Sequence, residues 1–412
     1  MEEVVIIGAG PAGIMAAIEA SKKYKVTILE KEDKLGKKLR ITGKGRCNIT
    51  FKGDRDYFFN HVVENAKFMY SSFNMFNNED LVKYVNSIFV ETKEERGNRI
   101  FLKSDDANQL AMALEKELKK HNVKVLYNSK VENVEKINEK FIIILSNGKK
   151  IEADKCIVAT GGKSYPATGS TGDGYKIAKK FEHDVKEIRP GLVGLKSSDS
   201  ICKKMQGLTL KNVRIKVYNN EKVIYSDFGE MMFSHFGVTG PIILSSSSKI
   251  VREKDYIECL KKKNIMLEID LKPALSEEKL YSRICRDLEK YNNKEIKNSL
   301  NELLPKKLIP VVISKANLDE NKKSNSVTKE ERNELMNTLK HFSIVINDVM
   351  PVETGIVTVG GINLKEINPR TFESKKISNL YFIGEVLDID AYTGGFNLQI
   401  AFSTGYSCGK LL

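Results

Sequence analysis

The opening thirty residues leave this chain little freedom. Val4-Val5-Ile6-Ile7 is an apolar, β-branched run that leads straight into Gly8-Ala9-Gly10-Pro11-Ala12-Gly13. Ile14 to Ser21 then reads as a helix, and Val26-Thr27-Ile28-Leu29 as a second strand closing on Glu30. Strand, G-x-G-x-x-G turn, helix, strand and terminal acid in that order predict a βαβ unit that holds a dinucleotide. Gly8 permits the tight turn, Gly10 lets a pyrophosphate approach the backbone, and Gly13 allows close helix–strand packing. The helix N-terminus then faces the phosphates with its free N–H groups. Glu30 stands where an acid accepts hydrogen bonds from ribose hydroxyls.

The next segment, Lys34 to Asn48, carries Lys34, Lys37, Lys38, Arg40, Lys44 and Arg46 and no acid. Its three glycines predict a loop with a short helical start. Its place after the second strand, and the glycines around Arg46-Cys47-Asn48, make it a site-lining loop. Residues 54–92 read as amphipathic helix, with Phe58, Phe59, Val62, Phe68, Phe73 and Phe76 as core. Further on come an extended Arg99–Lys103, a helix to about Lys120, and strands at Val123–Tyr127, Lys130–Ile137, Phe141–Leu145 and Lys150–Ile151. Asn147-Gly148 is a hairpin signal between the last two. Lys155–Ala159 reads as a buried strand running into Thr160-Gly161-Gly162.

From Leu192 to about Leu271 the pattern changes. Short β-rich runs with turns at Asn219-Asn220 and Phe228-Gly229 predict a small antiparallel barrel. Ser276 to about Leu339 reads as polar-faced helices broken at Pro305 and Pro310. Strand signals return at Gly355–Gly361 and Leu380–Gly384, and a final helix follows. The dinucleotide domain is thus interrupted by a two-part insert.

Composition narrows the class. No apolar run is long enough to span a bilayer, and the immediate entry into a strand argues against a signal peptide. The six cysteines (Cys47, Cys156, Cys202, Cys259, Cys285 and Cys408) contain no CxxC pair. That spacing speaks against a disulfide framework and against a zinc or other metal site, and a reduced, cytoplasmic protein is expected. The net charge of +13 fits either a lysine-rich solvated surface or a polyanionic partner, nucleic acid foremost.

Taken together, Gly8–Gly13 with Glu30, Gly43-Lys-Gly-Arg-Cys-Asn48, Ala159-Thr-Gly-Gly162, Thr171-Gly-Asp-Gly174, Phe233-Ser-His-Phe-Gly-Val-Thr-Gly-Pro241, Thr358-Val-Gly-Gly361 and Phe382-Ile-Gly-Glu385 through Gly394-Gly-Phe-Asn-Leu-Gln399 carry a resemblance. The sequence resembles the BaiN/RdsA-type (YhiN-like) FAD-dependent oxidoreductases, also labelled aminoacetone oxidase-like, over nearly its whole length. The resemblance implies an α/β fold, a glutathione-reductase-type, Rossmann-like FAD-binding domain (1–191 and 355–412). A β-barrel domain (192–272 and 341–354) interrupts it and itself carries a small helical insert (273–340).

By the same resemblance, Gly8, Gly10, Pro11, Ala12 and Gly13 hold the FAD pyrophosphate, and Glu30, with Lys31 beside it, the adenosine ribose. Lys38, Arg46 and the backbone through Cys47 and Asn48 line the phosphate-to-flavin side. Val131 offers a backbone contact to adenine, and Thr160 and Gly161 pass near the adenosine half. Gly384 and Glu385 take the ribitol, while Gly395, Asn397 and Leu398 bring a positive helix end to the flavin. The usual residue at position 385 in the wider superfamily is Asp, and Glu385 follows the family's own form. Thr171–Gly174 also echoes fumarate reductase-like flavoproteins, but no flanking His and Arg stand ready to grip a dicarboxylate.

No second strand–GxGxxG–helix unit is present, so NAD(P)H is expected as a transient reductant without a domain of its own. Cys47 is the candidate acid beside the flavin, with Arg46 and Lys44 expected to lower its pKa. His235 is a weaker candidate. The family's activities diverge among rRNA dihydrouridine synthesis, reduction of conjugated bile-acid double bonds, and amine oxidation. The charge favours large-subunit ribosomal RNA as the partner, with Lys294, Lys297, Lys306, Lys307, Lys322 and Lys323 of the insert beside it. A small-molecule reductase, an oxidase and a non-enzymatic RNA-binding flavoprotein are the alternatives.

Overall fold

Val4 to Ile7 are all at most 5 % exposed, as a continuous apolar run must be when both faces of a parallel sheet are covered. They lie in β1 (Glu3–Ile7), which leads into α1 (Pro11–Ala20) and β2 (Lys25–Leu29). The computed structural model describes residues 1–412 and divides into two units, Met1–Gly191 with Pro351–Leu412, and Leu192–Met350. The first unit is interrupted after Gly191 and resumes at Pro351. The helical insert belongs to the same unit as the barrel instead of standing alone.

In the first unit, β1 and β2 are joined by the strands Lys124–Leu126, Lys155–Val158 and Leu380–Phe382. Every pairing is parallel, with β1 between Lys155–Val158 and β2. The chain therefore leaves this sheet after its fourth strand in sequence and returns more than two hundred residues later to add the fifth. A three-stranded antiparallel meander, Val131–Ile137, Lys140–Leu145 and Lys150–Ala153, sits between the third and fourth strands in sequence. Gly148 takes φ +82° in the turn expected at Asn147-Gly148. The amphipathic segment 54–92 is not one helix. It breaks into Arg55–His61, Tyr70–Met75 and Asn78–Ser87, the last begun by an Asn77 capping box.

The final helix, Phe396–Leu411, packs against α1 more closely than ordinary side chains allow. A Cβ at Gly405 would lie 2.3 Å from the Ala12 carbonyl oxygen, and one at Gly409 2.3 Å from that of Ala16. Both contacts advance four residues along each helix, so the two helices run parallel. The nine steps from Phe396 to Gly405 then carry the final helix about 12 Å beyond the start of α1 at 1.5 Å per residue.

The second unit holds a seven-stranded antiparallel sheet. Its strands alternate inward and outward: Ile265, Leu267 and Ile269 are fully buried between more exposed neighbours, as are Phe342, Ile344 and Ile346. The strands Phe342–Ile346 and Asp348–Val349 lie at opposite edges of the sheet, yet a single residue separates them in sequence. Only a sheet that curls round on itself meets that condition. The Ser197 hydroxyl donates to the Val345 carbonyl (2.7 Å) and the Asn347 N–H to the Lys196 carbonyl (3.0 Å) along the seam.

Two sequence-based expectations fail within this unit. The turn expected at Phe228-Gly229 is continuous strand, Lys222–Ser234, because Gly229 is there to make room for a helix. A Cβ on it would stand 2.8 Å from the side chain of Ile242 in Pro241–Ile250. Pro310 begins the helix Ile309–Lys315 rather than breaking one, occupying the first turn where its missing N–H costs nothing.

Candidate functional site

The cleft lies at the carboxyl ends of β1 and β2. Among its lining residues are Ile7 through Pro11, Glu30, Lys31, Lys38, Val131, Thr160 and Gly161. Backbone geometry fits it to a pyrophosphate. Gly8 takes φ +107°, and a Cβ there would strike the Ala159 carbonyl oxygen at 2.5 Å. A Cβ on Gly13 would strike the Gly8 carbonyl oxygen at 2.1 Å, while at Gly10 nothing stands within 4 Å. Gly10 thus faces open space, and α1 begins there with no side-chain cap and Pro11 in its first turn. The first-turn N–H groups of Ala12 and Gly13 are left for an anion.

Glu30 is buried, and its two oxygens are set by the backbone. Oε2 accepts from the Ala9 N–H (2.8 Å) and Oε1 from the Glu32 N–H (2.9 Å), which fixes the carboxylate at the edge of the turn. Lone pairs remain on both oxygens for ribose hydroxyls. Lys31 bridges to Thr171 and to Asp173 (2.7 Å), tying the end of β2 to the Thr171–Gly174 segment. Burial works to raise the Asp173 carboxyl, but the Lys31 ammonium and the Thr171 hydroxyl together hold it below the usual carboxylate range. Val131 opens the meander beside the cleft, and Gly161 takes φ +71° at its floor.

A second cluster adjoins the first. Gly384, at φ +72°, donates its N–H to the Thr404 hydroxyl (3.1 Å), and a Cβ on it would press on Ala12 at 2.9 Å. The next residue, Glu385, accepts from the Thr358 N–H (2.9 Å), the Ser164 hydroxyl (3.2 Å) and the Lys38 ammonium (2.8 Å). Lys38 lies in α2 (Lys37–Ile41) and donates to Ser164 as well (2.6 Å). Three separate segments therefore meet at one carboxylate. Past this cluster, Gly395 (φ +95°) begins the final helix without a side-chain cap, and its Cβ would strike the Thr50 carbonyl at 2.5 Å. The Asn397 side chain exchanges hydrogen bonds with Ala391 (2.9 and 2.7 Å), leaving its own backbone N–H at the helix start. Leu398 packs against the core. Asn48, with its amide oriented to donate to the Thr50 and Ile100 carbonyls, accepts from the Gly395 N–H at 3.1 Å.

Two sequence-derived roles are corrected here. Cys47 is 0 % exposed, at φ +57°, within the apolar core. Burial pushes its thiol up to about 12, a hydrogen bond with Thr42 offsetting part of the shift. The expected lowering by neighbouring cations is absent, and a closed-off thiol of that basicity is not placed to protonate a substrate. Arg46 explains why. Its guanidinium is held by Glu95 and by Asp105 (2.8 Å) and lies over the Phe101 ring, so its charge is spent away from the thiol. Much of the basic loop is likewise engaged: Lys37 with Glu32 and Asp33, Lys38 with Glu385, and Arg40 with Asn108. His235, at the end of the Lys222–Ser234 strand, is exposed with its ring edge-on to Phe236.

The sequence reading missed Ser164 and Thr358, which no motif flagged as ligands of Glu385. It also missed Gly405 and Gly409, whose four-residue spacing on one helix face was a readable sign of a close helix contact.

The HI0933-like protein Rossmann domain family matches residues 2–411 of the chain. A 3-dehydro-bile acid delta(4,6)-reductase of Clostridium scindens is 30% identical over 413 residues, covering 100% of this chain and 98% of the relative. A ribosomal RNA dihydrouridine synthase of Haemophilus influenzae is 31% identical over 412 residues (98% and 97%). One of the same name from Escherichia coli is 29% identical over 410 residues (99% and 97%).

Proposed function

Because the chain belongs to the HI0933-like family of FAD-dependent oxidoreductases, we propose that it is an FAD-dependent ribosomal RNA dihydrouridine synthase that saturates a uridine C5=C6 bond in large-subunit rRNA. FAD supplies the hydride chemistry when bound. The chain's own residues bind and orient it. The Gly8–Gly13 turn and the N–H groups of α1 take the pyrophosphate, Glu30 the adenosine ribose, and Val131 the adenine by its backbone. Glu385, already held by Thr358, Ser164 and Lys38, takes the ribitol. The uncapped start of the final helix at Asn397 and Leu398 would present N–H groups to the flavin, and its positive end would suit negative charge there. NAD(P)H would be the transient reductant, reaching the flavin without a dinucleotide turn of its own.

The observation that carries the RNA reading is charge. The chain has a net +13, and in the unit Leu192–Met350 28 Lys and Arg face 21 Asp and Glu. Phosphate contacts account for most non-specific RNA affinity, whereas a small apolar substrate gives no reason for that excess. A uridine in folded RNA must also be unstacked to reach the site. A second reading, reduction of a conjugated double bond in a small molecule, is favoured by the equal, full-length similarity to the bile-acid reductase. Mass spectrometry of large-subunit rRNA nucleosides, from strains with and without the gene, tests the choice. Loss of dihydrouridine on deletion is expected, and an unchanged amount would overturn the RNA reading.

A further inference from the structure

Most cations of the second unit that lie near an acid are neutralised by it. Lys290 pairs with Glu302, Lys297 with Glu295, Lys322 with Glu331, and Lys340 with Asp270. Other exposed cations of the unit have no such partner, and four of these lysines fall in two short segments. Lys203 and Lys204 end the short helix Ser200–Lys204, and Lys306 and Lys307 follow Pro305 about a hundred residues later. All four are exposed, and none has a carboxylate within 4.0 Å. The Lys307 ammonium donates to the Gln206 carbonyl (3.1 Å), which draws the two segments into one patch where barrel and insert meet. That bond uses one of three donors and leaves two for a ligand.

The neighbouring apolar residues point inward. Cys202, Met205, Leu303, Leu304 and Leu308 are all at most 5 % exposed, and no exposed large apolar side chain lies in either segment. The patch is therefore cationic without an apolar anchor. A lipid surface is bound by charge together with apolar insertion, and bases of single strands are bound by stacking on aromatic rings. Neither chemistry is present. Ammonium groups alone suit phosphates as point charges.

We propose that Lys203, Lys204, Lys306 and Lys307 form a docking surface for the phosphate backbone of RNA, reading no bases and fixing how the substrate lies on the second unit. This rests on the RNA reading above and adds the place of contact. Neutralising Z phosphates gives a salt slope of about −0.7Z to −0.9Z, so four contacts contribute about 3 to the slope of log K against log salt.

The test uses the FAD-loaded full chain and a transcript of large-subunit rRNA, with affinity measured by fluorescence anisotropy from about 50 to 200 mM salt. In the variant Lys203→Glu/Lys204→Glu/Lys306→Glu/Lys307→Glu the slope should flatten by about 3, with the flavin spectrum and melting temperature unchanged. Should that variant fold poorly, Lys306→Gln/Lys307→Gln should still flatten it by about 1.5. Wild-type binding with the same slope in both variants overturns the patch while leaving the RNA reading intact. A wild-type chain that binds no rRNA overturns the RNA reading itself. Loss of binding to phosphatidylserine vesicles, with RNA binding untouched, would assign the patch to a membrane and overturn it as an RNA surface.

Discussion

Replacing Gly405 by Ala sets two effects of opposite sign against each other. In a helix interior, Gly→Ala ordinarily stabilises by about 1 kcal/mol. Here the added Cβ would stand 2.3 Å from the Ala12 carbonyl oxygen, against 3.4 Å or more for an ordinary contact, so α1 and the final helix must part by about 1 Å. Overpacking of that kind costs about 1–3 kcal/mol. The clash wins, and a net loss of about 1 kcal/mol is expected in urea unfolding of the cofactor-free chain. Ala12 also belongs to the turn that presents N–H groups to the pyrophosphate. Displacing it by that much weakens about one charge-assisted hydrogen bond, worth about 1.5–3 kcal/mol when lost outright, so FAD affinity by fluorescence quenching should fall about tenfold. Gly409→Ala is the control. It meets Ala16 at the same 2.3 Å but one turn farther from the phosphates, so it should lose comparable stability and little FAD affinity. If Gly405→Ala were more stable than the parent with unchanged FAD affinity, the close parallel packing inferred for these helices would be wrong.

Three further outcomes follow from the same geometry. Cys47→Ala should keep its FAD and its turnover at a stability cost of about 1–2 kcal/mol, and at pH 8 a thiol reagent should label the half-buried Cys259 and Cys285 but not Cys47; loss of turnover would restore Cys47 as an acid. Glu385→Ala strips the Thr358 N–H, the Ser164 hydroxyl and the Lys38 ammonium of their shared acceptor. A destabilisation of about 1–3 kcal/mol is expected, with less flavin absorbance per chain, and full flavin content in the purified variant would count against Glu385 as a ribitol ligand. His183 is buried between Glu366 (2.9 Å) and the Ser374 hydroxyl (2.8 Å), and burial lowers its pKa despite the neighbouring carboxylate. Below about 6.5 the unfolded chain takes up a proton that folded His183 resists, so stability should fall as pH drops through the window beneath that value. His183→Gln should flatten the urea midpoint over that window; an equally steep profile would show that another group governs it.

The parts of the site that were legible in the sequence are those whose physics is local. The Gly8–Gly13 turn, the strand before it and Glu30 declare themselves because the backbone conformation they need is written in adjacent residues. The turn at Gly148 belongs to the same class. Arg46 was misjudged because its partners Glu95 and Asp105 come from later segments, which nothing in the loop announces. Cys47 was misjudged for the same reason, since a basic neighbourhood in sequence says nothing about which way a side chain turns. Gly229 shows the converse error. A glycine that signals a turn by propensity can instead be the gap in a strand through which a helix approaches, and only the helix decides between them.

The contact between Gly405 and Ala12 has a consequence for the order in which the molecule is made. The residues it joins are roughly 390 apart, and pairings so distant form late because the loop between them must first be closed. The second unit is one uninterrupted stretch, whereas the sheet of the first unit lacks its fifth strand until residues 380–382 have emerged. During synthesis the phosphate turn is thus exposed long before the helix that supports it arrives. The barrel can be finished while the cradle is not, and the cofactor can be held in full only once the final helix has emerged.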